Sequence, residues 1–477
     1  MLTIKINNNR GQLIGDTSQI RTLQKSFKIR NPNAFFLRRY MPKGWDGKQD
    51  YISDSGTFNT GLLQQIVDFC KDEEWKVKVI DGRLLQPYKI NIKPYLNDQE
   101  YRPYQLDCLS HILNNQVEGI QFIRGVIKAA TNAGKTNIIA GIYDCTKVKT
   151  IVILNSKDLF DQMVDDFPKL VPGKWGILKA SDIQWNDIMI CMAQTLVKRL
   201  SDHKIATKLR EYGAVLVDEG DLADSATYKK ILRTLYTTHI RLCFSGSVLV
   251  SDLAKYKIKN QNIKSFFGSL LYEIRNDKLQ ELGYSSQIKI VINKGNTDKI
   301  PDSNFEDEYL YGIIKSKSRN GKIIKRIQYH LSKDRNNILI TVKNHKHVSV
   351  LYKRIIKAIP HEHRIEWVHH QRKDRPQIIK DFKEGRIKIL VSSLIVKRGL
   401  NFPLMTVMIN ASGGLSPENA LQLLGRATRK HESKELTYFE DFYDQGRYLQ
   451  RHSKRRINTY KNEKMPMLNL YKLNTIK

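Results

Sequence analysis

Residues Ala129–Thr136 read Ala-Ala-Thr-Asn-Ala-Gly-Lys-Thr: a small residue, four variable positions, then Gly134, Lys135 and Thr136. That is the spacing of a phosphate-cradling P-loop. Gly125–Lys128 ahead of it is short and partly β-branched, which suits a buried strand. Asn137–Tyr143 behind it suits a packed helix. A tight loop of this kind turns its backbone N–H groups toward one point, and the helix that follows adds its positive end. On this reading Ala130, Thr131, Asn132, Ala133 and Gly134 line a nucleotide's phosphates, Lys135 reaches the β- and γ-phosphates, and Thr136 places its hydroxyl on Mg²⁺. The first position is Ala129 where the pattern commonly has glycine.

The whole chain bounds what such a loop can serve. Its 477 residues suffice for about three domains. Lys and Arg total 80 against 48 Asp and Glu, a formal charge of +32. An excess of that size points to a polyanion, most plausibly nucleic acid, because a surface built only for solubility does not need it. The five cysteines are scattered, without a Cys-x-x-Cys pair, which argues against a zinc site and for reduced thiols in a cytoplasm-like compartment. No apolar run approaches a membrane span, and the alternating start Met1–Ile6 does not resemble a signal peptide.

Residues 1–90 read as a small separate module. Phe35, Phe36, Arg38, Arg39 and Tyr40 precede a turn carrying Lys43, Trp45 and Lys48. Basic residues mixed with aromatics fit a surface that grips phosphates and stacks on bases. Spacing alone fits equally well a core of Phe35, Phe36 and Trp45 flanked by arginines. Gln105 then stands just before an expected helix over residues 106–115. Apolar strands alternate with helices, which argues for a parallel sheet covered on both faces, with ligands at the carboxyl ends of its strands. Ser156 and Lys157 follow the strand Thr150–Leu154, and Gln194 and Thr195 follow Ile188–Met192.

The apolar run Ala214–Val217 leads into Asp218-Glu219-Gly220-Asp221. A buried strand ending in paired carboxylates is the expected partner of a P-loop: Asp218 for Mg²⁺ through its water shell, Glu219 to orient or deprotonate the attacking water. The alternative is an acidic N-cap on the next helix. Ser245-Gly246-Ser247 makes a hydroxyl-rich turn after another strand. From about Tyr284 the α/β pattern restarts without a P-loop. Pro301–Ser318 reads as a mobile connection; the strand 337–342 is followed by Lys343, and 387–391 by Ser392 and Ser393. In a helix, Gln422, Gly425, Arg426 and Arg429 share one face, a clamp suited to a γ-phosphate approached from a second domain.

The ordered series Gln105, Ala129–Thr136, Asp218–Asp221, Ser245–Ser247, Arg398–Asn401 and Gln422–Arg429 resembles the superfamily 2 helicases. The first module, through Gly44-Trp45-Asp46-Gly47-Lys48 and Gly61–Ile66, is similar to the N-terminal domain of bacteriophage recombination helicases, as is the basic run 441–461. The resemblance implies an α/β fold: two tandem RecA-like P-loop domains behind a small α+β nucleic-acid-binding domain. The boundaries it gives are 1–90, 91–283, 284–460, and a basic tail over 461–477. It implies an ATP-dependent enzyme with Mg²⁺, a monomer of the host cytoplasm, that unwinds and branch-migrates forked and four-way DNA in recombination, replication and repair.

By residue, the resemblance gives Gln105 to adenine, and Gly399, Asn401 and Gln422 to the ATP site. It assigns Asp221, Ser245 and Ser247 to coupling, and Arg426 and Arg429 to completing the site from the second domain. DNA contacts are expected at Arg38, Arg39, Lys43, Trp45, Lys48, Ser156, Lys157, Gln194, Thr195, Lys343 and Ser393. Asp221 stands where many DNA helicases have His, and Asn401 where many relatives have Asp. Rival readings are an RNA helicase or duplex translocase of the same superfamily, and a nucleic-acid-binding or annealing protein with incidental ATPase activity.

Overall fold

The computed structural model describes residues 1–470 apart from 131, 250–253, 302–303, 361, 370, 394–401, 415–416, 429–433 and 435; for 254–255 and 417–418 it describes the backbone alone. The chain divides into two compact units, Met1–Ala129 with Gly134–Glu273, and Ile274–Lys477 with Ala130–Ala133.

The first unit is built on an eight-stranded sheet. Its order is Ile183–Gln184, Trp175–Leu178, Ile188–Met192, Thr150–Leu154, Ala214–Asp218, Ile240–Ser245, Arg124–Ala129 and Leu270–Ile274. The ladders joining Trp175–Leu178 through Arg124–Ala129 are all parallel. Strands covered on both faces read as unbroken apolar runs, and Thr150–Leu154 and Ala214–Asp218 are buried throughout.

The N-terminal module packs onto this sheet. Its own four strands run in the order Thr57–Asn59, Arg10–Ile14, Leu2–Ile6 and Val77–Asp81 over a core of Ile4, Leu13, Leu63, Ile66 and Val67. The seam is held by two fully buried guanidiniums. Arg124 Nη2 donates to the Asn8 carbonyl at 2.5 Å, and its Nε to the His239 carbonyl at 3.4 Å. Arg241 bonds the Asn9 side chain, the Thr238 hydroxyl at 2.9 Å and the Leu235 carbonyl at 2.8 Å. No carboxylate neutralises either one among these partners. Burial therefore pulls both below the usual arginine range, Arg241 to about 9, with Arg241 adding repulsion on Arg124. On the same seam the Tyr51 hydroxyl donates to the Ile258 carbonyl at 3.0 Å.

The second unit carries a seven-stranded sheet, all parallel. Its order is Ile365–Val368, Ile389–Ser393, Ile338–Val342, Val407–Asn410, Leu436–Tyr443, Gln287–Lys294 and Met467–Asn469. Its last strand lies within the stretch expected as a basic tail. The two sheets and their flanking helices are tandem RecA-like domains.

Two sequence expectations change. Pro301–Ser318 is not a loose connection among its described residues. Asn304 caps a helix, Phe305–Tyr309, which runs into a π turn, Leu310–Ile314, and then the helix Lys317–Leu331. The wider π turn offsets the apolar positions from a regular helical period, so Tyr309, Ile313 and Ile314 are buried without announcing it. The helix expected over residues 106–115 is Pro103–Leu113. Proline at its first position has no N–H to lose, and the Gln105 Oε1 accepts from the Arg102 N–H at 3.0 Å. No helix among the described residues is long and apolar enough to cross a membrane.

Gly61 meets the helix Ala254–Phe267 across the seam. A Cβ there would lie 2.5 Å from the Lys264 carbonyl oxygen and 2.6 Å from that of Ser265. Neither backbone can yield alone, so Gly61→Ala is expected to destabilise the protein by about 1–3 kcal/mol. The check is a lowered urea midpoint.

Candidate nucleotide site and nucleic-acid-facing residues

Strand Arg124–Ala129 ends at the loop, and helix Lys135–Thr146 leaves it. Gly134, at the turn between them, has φ +69°, a left-handed conformation that glycine adopts without strain. A side chain there would also strike the Gln105 amide, whose Nε2 would be 2.3 Å away. Gln105 is buried, with its Nε2 3.5 Å from the Gly134 carbonyl. Its amide thus ties the Arg102 turn to the loop.

Lys135 and Thr136 open the helix, where backbone N–H groups and the macrodipole favour an anion. The Lys135 ammonium pairs with the Glu219 carboxylate at 3.2 Å. Two strands away in the sheet from the loop strand, Ala214–Asp218 delivers Asp218 to the same edge. Glu219 turns off it at φ +51°, donates its N–H to the Asp218 carboxylate at 3.0 Å, and has its carbonyl held by Asn155 Nδ2 at 3.1 Å. Glu219 precedes the short 3-10 turn Gly220–Leu222 without a side-chain capping bond, so the N-cap alternative does not describe it.

Asp218 is buried, and that desolvation raises its carboxyl to about 6; Lys135 opposes the shift, while Glu219 and Asp221 add to it. A carboxylate so placed is what a dication would stabilise. Among the described residues no three His, Cys, Asp or Glu gather into a metal-binding group. Asp218 and the Thr136 hydroxyl are the oxygen donors that would hold Mg²⁺ here, together with water and a nucleotide's own oxygens. Asp221 is buried beside this turn. Ser245 and Ser247 are buried too, their hydroxyls 3.3 Å apart, with the Ser247 N–H donated to Ser245 Oγ at 3.1 Å. Ser245 ends the strand between Ala214–Asp218 and Arg124–Ala129, in register with Lys128.

The expected nucleic-acid contacts fall in three places. Arg38, Arg39, Lys43 and Lys48 are exposed, and Phe35 and Phe36 stand 84% and 69% exposed, so those two rings are not core. Trp45 is half-buried, its Nε1 donating to the Lys48 carbonyl at 2.7 Å. Ser156, Lys157, Gln194 and Thr195 follow the carboxyl ends of two paired strands, with Lys157 and Gln194 exposed; Ser156 caps its helix through Leu159 N–H. Lys343 and Ser393 lie at the carboxyl ends of two paired strands of the second sheet, Lys343 exposed and Ser393 buried. Gln422, Gly425 and Arg426 share the helix Pro417–Ala427, where Arg426 is buried. Thr131, Gly399, Asn401 and Arg429 lie outside the described residues.

Sequence reasoning missed Asn155 and Cys243. A Cβ on Gly220 would lie 2.1 Å from Cys243 Sγ. The contact joins residues 23 positions apart, Gly220 in the turn after Ala214–Asp218 and Cys243 on the neighbouring strand, so no local signal shows it. Gly220→Ala is expected to lower ATP hydrolysis at least about tenfold by displacing Asp218 and Glu219. Removing the sulfur with Cys243→Ala in the same chain should restore most of it. Steady-state hydrolysis of the two single variants and the double variant measures that coupling.

The family model for the type III restriction enzyme res subunit matches residues 98–248, and that for the helicase conserved C-terminal domain matches residues 321–431. A putative ATP-dependent helicase of Saccharomyces cerevisiae, IRC3, is 24% identical over 386 residues, covering 75% of this chain; the chain spans 53% of that relative's length. Among solved structures, a fragment of an HsdR subunit of a type I restriction enzyme from Vibrio vulnificus aligns at TM-score 0.58 and 15% identity, over 81% of this chain and 70% of that one. The T4 UvsW structure aligns over 98% of this chain and 99% of its own at TM-score 0.44 and 19% identity. With a P-loop and a carboxylate strand in the first matched region, and the Gln422–Arg426 helix in the second, the chain has the two tandem RecA-like helicase domains of superfamily 2.

Proposed function

We propose that this chain is an ATP-driven DNA helicase or translocase that acts on forked and four-way DNA, unwinding and branch-migrating it. The observation that carries the branched-DNA part is the cluster of exposed rings and guanidiniums over Phe35–Tyr40. Phe35, Phe36 and Tyr40 are 84%, 69% and 72% exposed, with the Arg39 guanidinium 4.7 Å from the Tyr40 ring centre. Large rings held in water beside cations suit unstacked bases and phosphates, which a strand junction offers together. The charge of +32 suits a phosphate-dominated, sequence-independent and salt-sensitive grip.

Within the ATP site, Lys135 exchanges its Glu219 partner for phosphate oxygens. That exchange releases the Glu219 carboxylate to orient or deprotonate water. Mg²⁺, when bound, supplies charge neutralisation at the phosphates. Gln105 would hold adenine, and Gly399, Asn401 and Gln422 would line the nucleotide. Arg426 and Arg429 would stabilise charge developing on the transferred group. Asp221, Ser245 and Ser247 would pass the change to the strands' carboxyl edge. Asp221, in place of the His common in DNA helicases, is the feature that favours RNA as a second reading.

The test is ATP hydrolysis with matched single-stranded DNA, duplex, fork, four-way junction and RNA. Strongest stimulation by fork or junction is expected, and stimulation by RNA alone would overturn the DNA assignment. Lys135→Ala is expected to cut hydrolysis by about a hundredfold or more while fork binding survives. Annealing that persists in that variant, with no ATP-dependent activity in the wild type, would favour the annealing reading.

A further inference from the structure

The C-terminal helix Arg447–Asn462 carries Arg447, Arg451, Lys454, Arg455, Arg456 and Lys461 and no acidic residue. Arg456 alone is neutralised internally: it is buried, with its guanidinium 2.9 Å and 3.1 Å from the Asp441 carboxylate oxygens. Arg447, Arg451 and Lys454 are exposed and Arg455 is half-buried, and among the described residues none of these four makes an ion pair. Arg447, Arg451 and Arg455 follow one another at four-residue spacing, so like charges stack on one face. Each such like-charged neighbour pair weakens the helix. A face kept at that cost is one that meets a polyanion.

Its position points the same way. The helix begins just past the carboxyl end of Leu436–Tyr443, so its first turns stand at the ligand-binding edge of the second sheet. There a ring cluster joins it to the strand whose end carries Lys343. Phe305 packs on Tyr448 and His452, with ring centres 6.1 Å and 5.1 Å apart. The Lys343 ammonium sits 5.3 Å from the Phe305 ring centre, and the Arg447 and Arg451 guanidiniums each 5.5 Å from that of Tyr448. Burial pulls His452 down to about 4, and the positive field of Arg456, Arg451, Arg455 and Lys343 adds to the shift. The helix's own amides do not supply that field, since the buried Glu308 carboxylate accepts the Tyr448 N–H at 2.9 Å and the Leu449 N–H at 3.4 Å. The acids on the adjoining helix Phe305–Tyr309 outside the core are Glu306 and Asp307.

We propose that Arg447, Arg451, Lys454 and Arg455 form, with Lys343, a second phosphate-gripping surface for a DNA arm. Its residues belong neither to the motifs of the ATP site nor to the aromatic cluster of the first module. The proposal rests on the reading of the chain as a DNA-binding motor. Phe305 and Tyr448 are half-buried and His452 is buried, which leaves little ring face for base stacking, so the contact is to the backbone and independent of sequence.

The experiment is fluorescence anisotropy of a labelled DNA fork titrated with the full chain, without nucleotide, across a series of KCl concentrations. Arg447→Gln with Arg451→Gln is expected to weaken binding more than about tenfold at low salt. It should also flatten the slope of log affinity against log salt by about 2. Arg447→Lys with Arg451→Lys, which keeps the charge, should restore the slope. Unchanged affinity and slope in the glutamine variant overturn the proposal. So does a loss that lysine fails to rescue, or one accompanied by a lowered melting temperature in both variants. A wild-type chain that binds no DNA at any salt overturns the DNA reading itself, which separates the two failures.

Discussion

A parallel ladder sends every carboxyl end to one edge of its sheet, and that constraint decides where this chain keeps its polar chemistry. In the first sheet the P-loop follows one such end, Asp218 and Glu219 another, and Ser245 the strand between them. Ser156 and Gln194 follow two more ends on the same ladder. The five strand ends are far apart in sequence. What brings these residues together is that each sits within a few residues of where an apolar strand stops. The second sheet obeys the same rule with Lys343, Ser393 and the start of the C-terminal helix.

The same constraint explains how much could be read from the sequence. Strands buried on both faces are short apolar runs, so Thr150–Leu154 and Ile188–Met192 are legible to the residue. The P-loop and the carboxylate pair announced themselves because their chemistry demands particular residues at fixed spacing. The contacts that shape the site did not. Asn155 holding the Glu219 carbonyl and Cys243 lying under Gly220 are products of strand neighbourhood, which local pattern does not encode. The Phe305–Ile314 stretch was misread because a π turn breaks the helical period on which such readings depend. The choice between core and surface for Phe35 and Phe36 was beyond spacing, because both fates place a ring beside a cation.

Buried arginines are satisfied in two ways. In the second unit, buried arginines meet carboxylates: Arg319 with Asp444 at 2.7 Å and Arg456 with Asp441 at 2.9 Å. At the module seam of the first, Arg124 and Arg241 meet carbonyls, an amide and a hydroxyl instead. Neutral partners satisfy the hydrogen bonds but leave the positive charge uncompensated. Both guanidiniums therefore lean on geometry, and each needs the partners that the Asn8 and Asn9 turn supplies.

That dependence has an evolutionary side. A domain that meets its neighbour through exposed, self-sufficient surfaces can be lost, duplicated or exchanged between genes as a cassette. The first module here is not such a cassette. Removing it would strand two cations inside the nucleotide-binding sheet, because the turn that caps them would go with it. The Asn9 side chain bonds Arg241 directly, whereas Asn8 offers Arg124 only its backbone carbonyl, so it is variation at Asn9 that should track variation at Arg241 among relatives of this chain.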